Sequence, residues 1–213
     1  MKYLALMRLI RQLGWCSALV ALALAGGCTA LRPAAVAQPS VYTLGTVLTA
    51  APVQAAASAP TLLVDLPRAA PGFDTAHIVY VRSPHTLEHF AHNAWVDTPA
   101  RMLAPRIVAA LGQGGAFRAV VLAPSAVAGS LRLDTEILRL QQDFSTSPSR
   151  TRFTLRATLV DSGTRRVLAW REFDASVAAK TDDPYGGVVA AHGAVQAVLD
   201  ELAAFCASTL TDR

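Results

Sequence analysis

Two kinds of side chain here could do chemistry, thiols and imidazoles, and their spacing decides what each can do. The thiols are Cys16, Cys28 and Cys206. Cys28 closes the run Leu24-Ala25-Gly26-Gly27-Cys28, just past an apolar stretch over residues 13–25 that is headed by Lys2, Arg8 and Arg11. A basic head, a short apolar run and small residues before a cut are the parts of a secretory signal peptide. Crossing ~30 Å of hydrocarbon takes about 20 apolar residues, so a cleaved leader over residues 1–27 fits better than a permanent span. No later stretch approaches that length. The cut site resembles a lipobox: Gly26 and Gly27 let a protease groove close on the backbone, and the Cys28 thiol then carries diacylglycerol. Its freed amine takes a third acyl chain, and several chains hold far more firmly than one. Ala25 departs from the pattern, which prefers a large aliphatic residue there. The alternative is an ordinary signal peptide cut after Ala25 or Ala30, with Cys28 incidental. Thr29 stands where Asp would retain a lipoprotein at the inner membrane, so the expected place is the outer membrane, facing the periplasm.

The imidazoles crowd together at His85, His89 and His92, with Glu88 among them. On a helix the three histidines would share a face and could hold zinc. The flanking sequence argues for a strand, where His85 and His89 point one way and His92 the other. Exposed or hydrogen-bonded histidines are then expected, and no metal site. No Gly-x-Ser-x-Gly elbow and no phosphate-cradling loop is present. Gly112-Gln113-Gly114-Gly115 reads as a helix stop, and Asp183 as a helix cap. Arg150, Arg152, Arg156, Arg165 and Arg166 form either a solvated strand face or a surface for an anionic lipid or partner. No catalytic residue and no cofactor site is expected.

Processing changes the charge. Three of the 19 basic residues and none of the 15 acids lie in the leader, leaving 16 against 15, a net of +1. The sequence pI of about 9.3 therefore gives no support to nucleic-acid binding. With Cys16 removed and Cys28 acylated, Cys206 has no disulfide partner.

The elements that must position these residues follow from periodicity. Residues 28–60 read as a lipidated, Ala/Pro-rich tether and linker with one short strand at Val41-Tyr42-Thr43-Leu44, and the folded domain is expected over residues 61–213. Residues 61–66, 77–82 and 86–95 have strand composition. Asp97 or Thr98 can cap a helix with Pro99 in its first turn, and Pro105 predicts a kink or a later helix start. Residues 117–122, nearly all apolar, predict a strand buried on both faces. Leu131, Leu133, Thr135 and Ile137 share one face while Leu138 and Leu140 have the other parity, which predicts a β-bulge or an exchange of covered faces. Phe153, Leu155, Ala157 and Leu159 alternate with polar residues, and a turn at Asp161-Ser162-Gly163-Thr164 leads into a return strand with Trp170 and Phe173 on opposite faces. Residues 184–210 predict a helix with Val188, His192, Val195, Leu199, Leu202 and Cys206 on one stripe, Cys206 as a buried thiol. Two helices against one mixed, partly antiparallel sheet make a single α/β domain.

One stretch is distinctive. Pro71-Gly72-Phe73-Asp74-Thr75-Ala76-His77-Ile78-Val79-Tyr80 leads to Ala91-His92-Asn93-Ala94-Trp95-Val96-Asp97-Thr98-Pro99-Ala100-Arg101-Met102-Leu103, and then to Phe117-Arg118-Ala119-Val120. This resembles the ABC-type transport auxiliary lipoprotein family, which carries a "PGLDS-RIVY" segment, then "AHN-W-D-PARML" and "G-F-AVV"; Phe73 replaces its common leucine. The resemblance implies a three-layer α/β fold similar to anticodon-binding domains. It also implies an auxiliary protein of an MCE-type lipid or solute transporter, similar to the lipoprotein of the paraquat-inducible system, docking an MCE-domain protein near the outer membrane. It carries no catalytic residues, and it leaves homo-oligomerisation open. Trp95, Met102 and Leu103 of the motif read as core. Arg101 and Arg106 read as residues of an exposed helix face that could contact a partner. The alternative function is an envelope-assembly or structural lipoprotein that binds outer-membrane proteins or lipopolysaccharide. Genes for a permease, an ATPase and an MCE protein alongside would separate the two.

Overall fold

The computed structural model describes residues 38–45 and 55–211, so the leader, Cys28 and Thr29 lie outside the described residues. The elements run β1 (Ser40–Tyr42), β2 (Thr61–Val64), β3 (Arg68–Ala69), β4 (His77–Val81), β5 (Glu88–Trp95), α1 (Pro99–Gln113), β6 (Ala119–Leu122), β7 (Leu131–Asp143), β8 (Arg150–Asp161), β9 (Val167–Ala178) and α2 (Pro184–Thr211). The mixed sheet with two main helices is the architecture expected.

The 13-residue β7 is the spine. One of its edges pairs antiparallel with β8 along nearly its whole length, and β8 pairs with β9 in turn. Its other edge is shared by three short parallel strands. β2 lies beside Leu131–Leu133, β3 beside Glu136–Ile137, and β4 beside Gln142–Asp143. β6 extends the sheet outside β2; β5 and then β1 extend it outside β4.

Side-chain parity explains how β7 serves both ends. Leu131, Leu133, Thr135 and Ile137 are buried, and then Leu140 and Gln142 are, one residue out of phase. The register with β8 slips between Ile137 and Arg139, so Leu138 is the extra residue of the bulge that the sequence predicts. On β8, Phe153, Leu155, Ala157 and Leu159 are fully buried, and Phe173 of β9 joins them. Both helices pack on this face, with Leu103, Ile107 and Leu111 of α1 and Val195, Leu199, Leu202 and Cys206 of α2 in one core. Trp95 and Leu103 are buried as expected, and Met102 packs against the core.

Asp183 caps α2 by accepting from the Gly186 N–H at 2.7 Å. Thr98 takes the N-cap position of α1 without a side-chain bond, while Asp97 Oδ1 accepts from the Thr98 N–H at 2.7 Å.

Four expectations need correction. The fold begins before residue 61: β1 joins the sheet beside Asn93–Trp95, and Leu44 is 1% exposed in the core. The helix does not start after Pro105 but runs from Pro99 through it, with Pro105 on the exposed side, where solvent can satisfy the carbonyl it leaves without a donor. β6 is not covered on both faces: it is an edge strand paired only with β2, and its side chains stay partly exposed. α2 is long and apolar enough by composition to cross a membrane, yet it is the central core helix, and its hydrophobicity fills the interface with β8 and β9.

Candidate functional site

Arg101 and Arg106, read together from the sequence, separate in the structure. Arg101 is exposed, with its guanidinium 3.8 Å from Asp97 one turn back. Arg106 is only 5% exposed and cannot serve as a surface contact. The physical reason is helical phase: position 106 follows Leu103 by three and precedes Ile107, on the stripe that faces the core. That spacing was the available signal.

Arg106 has become the centre of a clamp on the first strand. Its Nη1 donates to the Leu44 carbonyl, and its Nη2 donates to Gln196 Oε1 at 3.3 Å. His192 Nδ1 lies 2.9 Å from the same carbonyl and 3.2 Å from Arg106 Nη1. Gln196 Nε2 in turn donates to Asp200 at 2.8 Å. Two helices thus hold one carbonyl just past β1. Gly45 is required there: its φ is +90°, and a Cβ would sit 2.4 Å from His192 Nδ1. Among the described residues no carboxylate pairs with Arg106, its Nε has no partner, and burial pushes its pKa down.

The histidines do not converge. His85 sits in the turn before β5 with a φ of 66°, and β5 starts only at Glu88. Glu88 is committed to Arg82, whose Nε donates to it at 2.9 Å, and it accepts from the Tyr80 hydroxyl at 3.2 Å. The Arg82 hydrogen bond holds the Glu88 carboxyl below its ordinary range. His89 instead lies against His77 across the β4–β5 pair, with ring centres 5.2 Å apart. No group of three metal-ligating side chains forms among the described residues.

The arginine cluster divides in two. On the sheet face away from the helices, charged rungs cross β7, β8 and β9. Arg156 pairs with Glu136 at 3.0 Å and Glu172 at 2.7 Å, Arg152 with Asp174 at 2.8 Å, and Arg132 with Asp134 at 3.1 Å. Arg150 donates to the Ser176 carbonyl at 2.8 Å. Such exposed pairs contribute about 0–1 kcal/mol each. Arg165 and Arg166, in the β8–β9 turn, are in no ion pair among the described residues. Trp170, two-thirds exposed, stands on the same face, opposite Thr158.

Two cavities bear on ligand binding. One, bounded by Ile78, Trp95, Leu140 and Ala191, is apolar and has a volume of about 10 Å³. The other is an open polar cleft of about 270 Å³ between Asp65, Arg68, Arg132 and Asp134. The first is too small for an acyl chain, and the second is too polar.

Comparison with known proteins agrees with this fold. Protein XCC0632 of Xanthomonas campestris has the same fold, with a TM-score of 0.67 at 22% identity, over 84% of this chain and 98% of that one. A solved structure of an uncharacterized protein matches with a TM-score of 0.61 at 16% identity, over 79% and 99% of the two chains. No match was found among curated protein sequences. The family model for the ABC-type transport auxiliary lipoprotein component matches residues 42–204, which span β1 to the last turns of α2. The chain belongs to the ABC-type transport auxiliary lipoprotein family.

Proposed function

We propose that this protein is the outer-membrane-anchored, non-enzymatic docking component of an MCE-type ABC transporter for a lipid or organic solute. The observation that carries the reading is the family match across residues 42–204. Lipid on Cys28 anchors the chain, and Thr29 directs it to the periplasmic face of the outer membrane. The domain docks the MCE-domain protein that bridges the periplasm; cargo does not enter it. The 10 Å³ apolar cavity supports that last point, being far below what an alkyl chain occupies. The pairing of Glu88 with Arg82 supports a role without catalysis. Arg101, exposed on α1, is one surface residue available to a partner.

Cell fractionation and co-purification test the reading together. The wild type should float with outer-membrane vesicles, Cys28→Ala should not be acylated, and Thr29→Asp should shift the protein to the inner membrane. The MCE-domain protein should co-purify with the wild type at native expression. Absence of that association refutes the transport role, whereas unchanged localisation of Cys28→Ala refutes only the anchor.

A further inference from the structure

We propose that the tip of the β8–β9 hairpin is the docking surface, and that the partner surface it receives is apolar at its centre and acidic at its rim. The inference rests on the docking function proposed above and assigns it a place.

Two exposed apolar side chains stand at the start of β9: Trp170 is 64% exposed and Val167 57%, while Val127, 47% exposed, lies in the loop that crosses β2 on the other side of β7. The register sets Val167 opposite Val160 and Trp170 opposite Thr158, on the face turned away from the core. Val127 belongs to the loop between β6 and β7, which is fastened to the hairpin turn where the Ser162 N–H donates to the Ser130 carbonyl at 3.0 Å. That loop crosses β2 closely, since a Cβ on Gly129 would lie 2.5 Å from the Leu63 side chain. A tryptophan left mostly in water on a strand face is costly to keep exposed, and Trp and Arg are among the residues enriched where interfaces concentrate their binding energy.

The charge at the tip is positive on balance, two arginines against Asp161. Arg165 and Arg166 are in no ion pair among the described residues, whereas Arg132, Arg152 and Arg156 on the same sheet are all paired. Asp161, in the same turn, accepts from the Thr164 N–H at 2.8 Å and the Thr164 hydroxyl at 2.9 Å. Two uncommitted guanidinium groups flanking apolar side chains call for carboxylates around an apolar contact.

Chain length decides between a protein and the anchoring bilayer. β1 lies beside Asn93–Trp95, and through β5 and β4 it reaches the half of β7 that ends at Asp143. The chain therefore enters about nine residues along β7 from Leu131, on the order of 30 Å from the tip end. Between Cys28 and Pro39 the chain can reach at most about 38 Å. The tip could touch the anchoring membrane only with that segment stretched back along the whole domain, so a partner in the periplasm is the occupant. The α1 face offers less: Arg101 is near Asp97, and no large apolar side chain of α1 is strongly exposed.

The test uses the full-length lipoprotein in cells with a tagged MCE-domain protein. A photo-cross-linking residue is placed at position 167 or at position 101, and co-purification is quantified for Trp170→Ala, for the pair Arg165→Glu with Arg166→Glu, and for Arg101→Glu. The tip positions are exposed, so unchanged thermal unfolding should accompany each variant. Cross-linking from 167 and not from 101 is expected, with Trp170→Ala weakening association about 30-fold, the factor for a hot-spot residue. The charge reversals should weaken it further as salt is lowered, and Arg101→Glu should leave it unchanged. Co-purification unaffected by the tip variants, or cross-linking only from 101, overturns the tip and leaves the docking function standing. Cross-linking from 167 to lipid overturns it in favour of membrane contact. No association of the wild type overturns the docking function and this inference with it.

Discussion

Replacing Arg106 by Met probes what a buried guanidinium without a carboxylate does for stability. The side chain is 5% exposed, with Nη1 on the Leu44 carbonyl, Nη2 on Gln196 and no partner for Nε. A hydrogen bond from a charged group contributes about 1.5–3 kcal/mol, and an orphaned buried donor costs about 1–3 kcal/mol. Burying the charge adds several kcal/mol of desolvation, which only good pairing offsets. Met removes the charge and the orphan and keeps most of the volume. His192 Nδ1 stays 2.9 Å from Leu44 O and can donate to it in the Nδ1-protonated tautomer, and Gln196 is exposed, so water can replace what it loses. The opposing effects should cancel to within about 1 kcal/mol, a shift of no more than about 4 °C in Tm for a domain of this size. Arg106→Ala adds a cavity and should cost about 3 kcal/mol more, or roughly 6–12 °C. Urea and thermal unfolding followed by Trp95 fluorescence measure both. Equal losses for Met and Ala, or a Met loss above about 3 kcal/mol, would refute the reasoning, because losses that large belong to a charge with a true counter-ion.

Other perturbations follow from the same packing. Gly187→Ala should cost at least about 2 kcal/mol, because its Cβ would lie 2.0 Å from Oε1 of the buried Gln142; calorimetry checks this, and an unchanged Tm contradicts it. Deleting Leu138 removes the extra residue and leaves Arg139 opposite Thr154 and Leu140 opposite Phe153, so Leu140 and Gln142 stay on the buried face; the variant should keep a cooperative thermal transition, and its loss in calorimetry would contradict the bulge. Cys206 is fully buried, and burial pushes its thiol up to about 12 from 9.0, so a thiol reagent at pH 8 should leave it unmodified until the protein unfolds. The sign at high pH follows: the fold favours the neutral thiol, so its contribution is whole below about pH 9 and is lost as pH rises toward 12, on the order of 4 kcal/mol. Cys206→Ala should flatten that alkaline loss in denaturation curves; a slope identical to the wild type's would contradict it.

Local pattern alone determined much of this protein. The alternation of Phe153, Leu155, Ala157 and Leu159 fixed a strand with one covered face, and the parity change after Ile137 announced the bulge before any partner strand was known, since both are read within a few residues. The motif around Trp95 and Arg101 was enough to recognise the family. Other features depend on what each segment meets in space. Residues 119–122 are apolar enough for a central strand, but whether a second neighbour flanks them is not written in them. Leu44 looked like part of a linker because its core lies on α1 and α2, far along the chain. Arg106 looked like a surface cation because its type outweighed its phase on the helix, and only the meeting of two helices with the Leu44 carbonyl gave the guanidinium acceptors inside. The sequence placed Arg165 and Arg166 in the same cluster as Arg150, Arg152 and Arg156. The cross-strand register separated them: a carboxylate or carbonyl of β9 stands within reach of Arg150, Arg152 and Arg156, while Arg165 and Arg166 fall in the turn, outside that register, and are in no ion pair among the described residues.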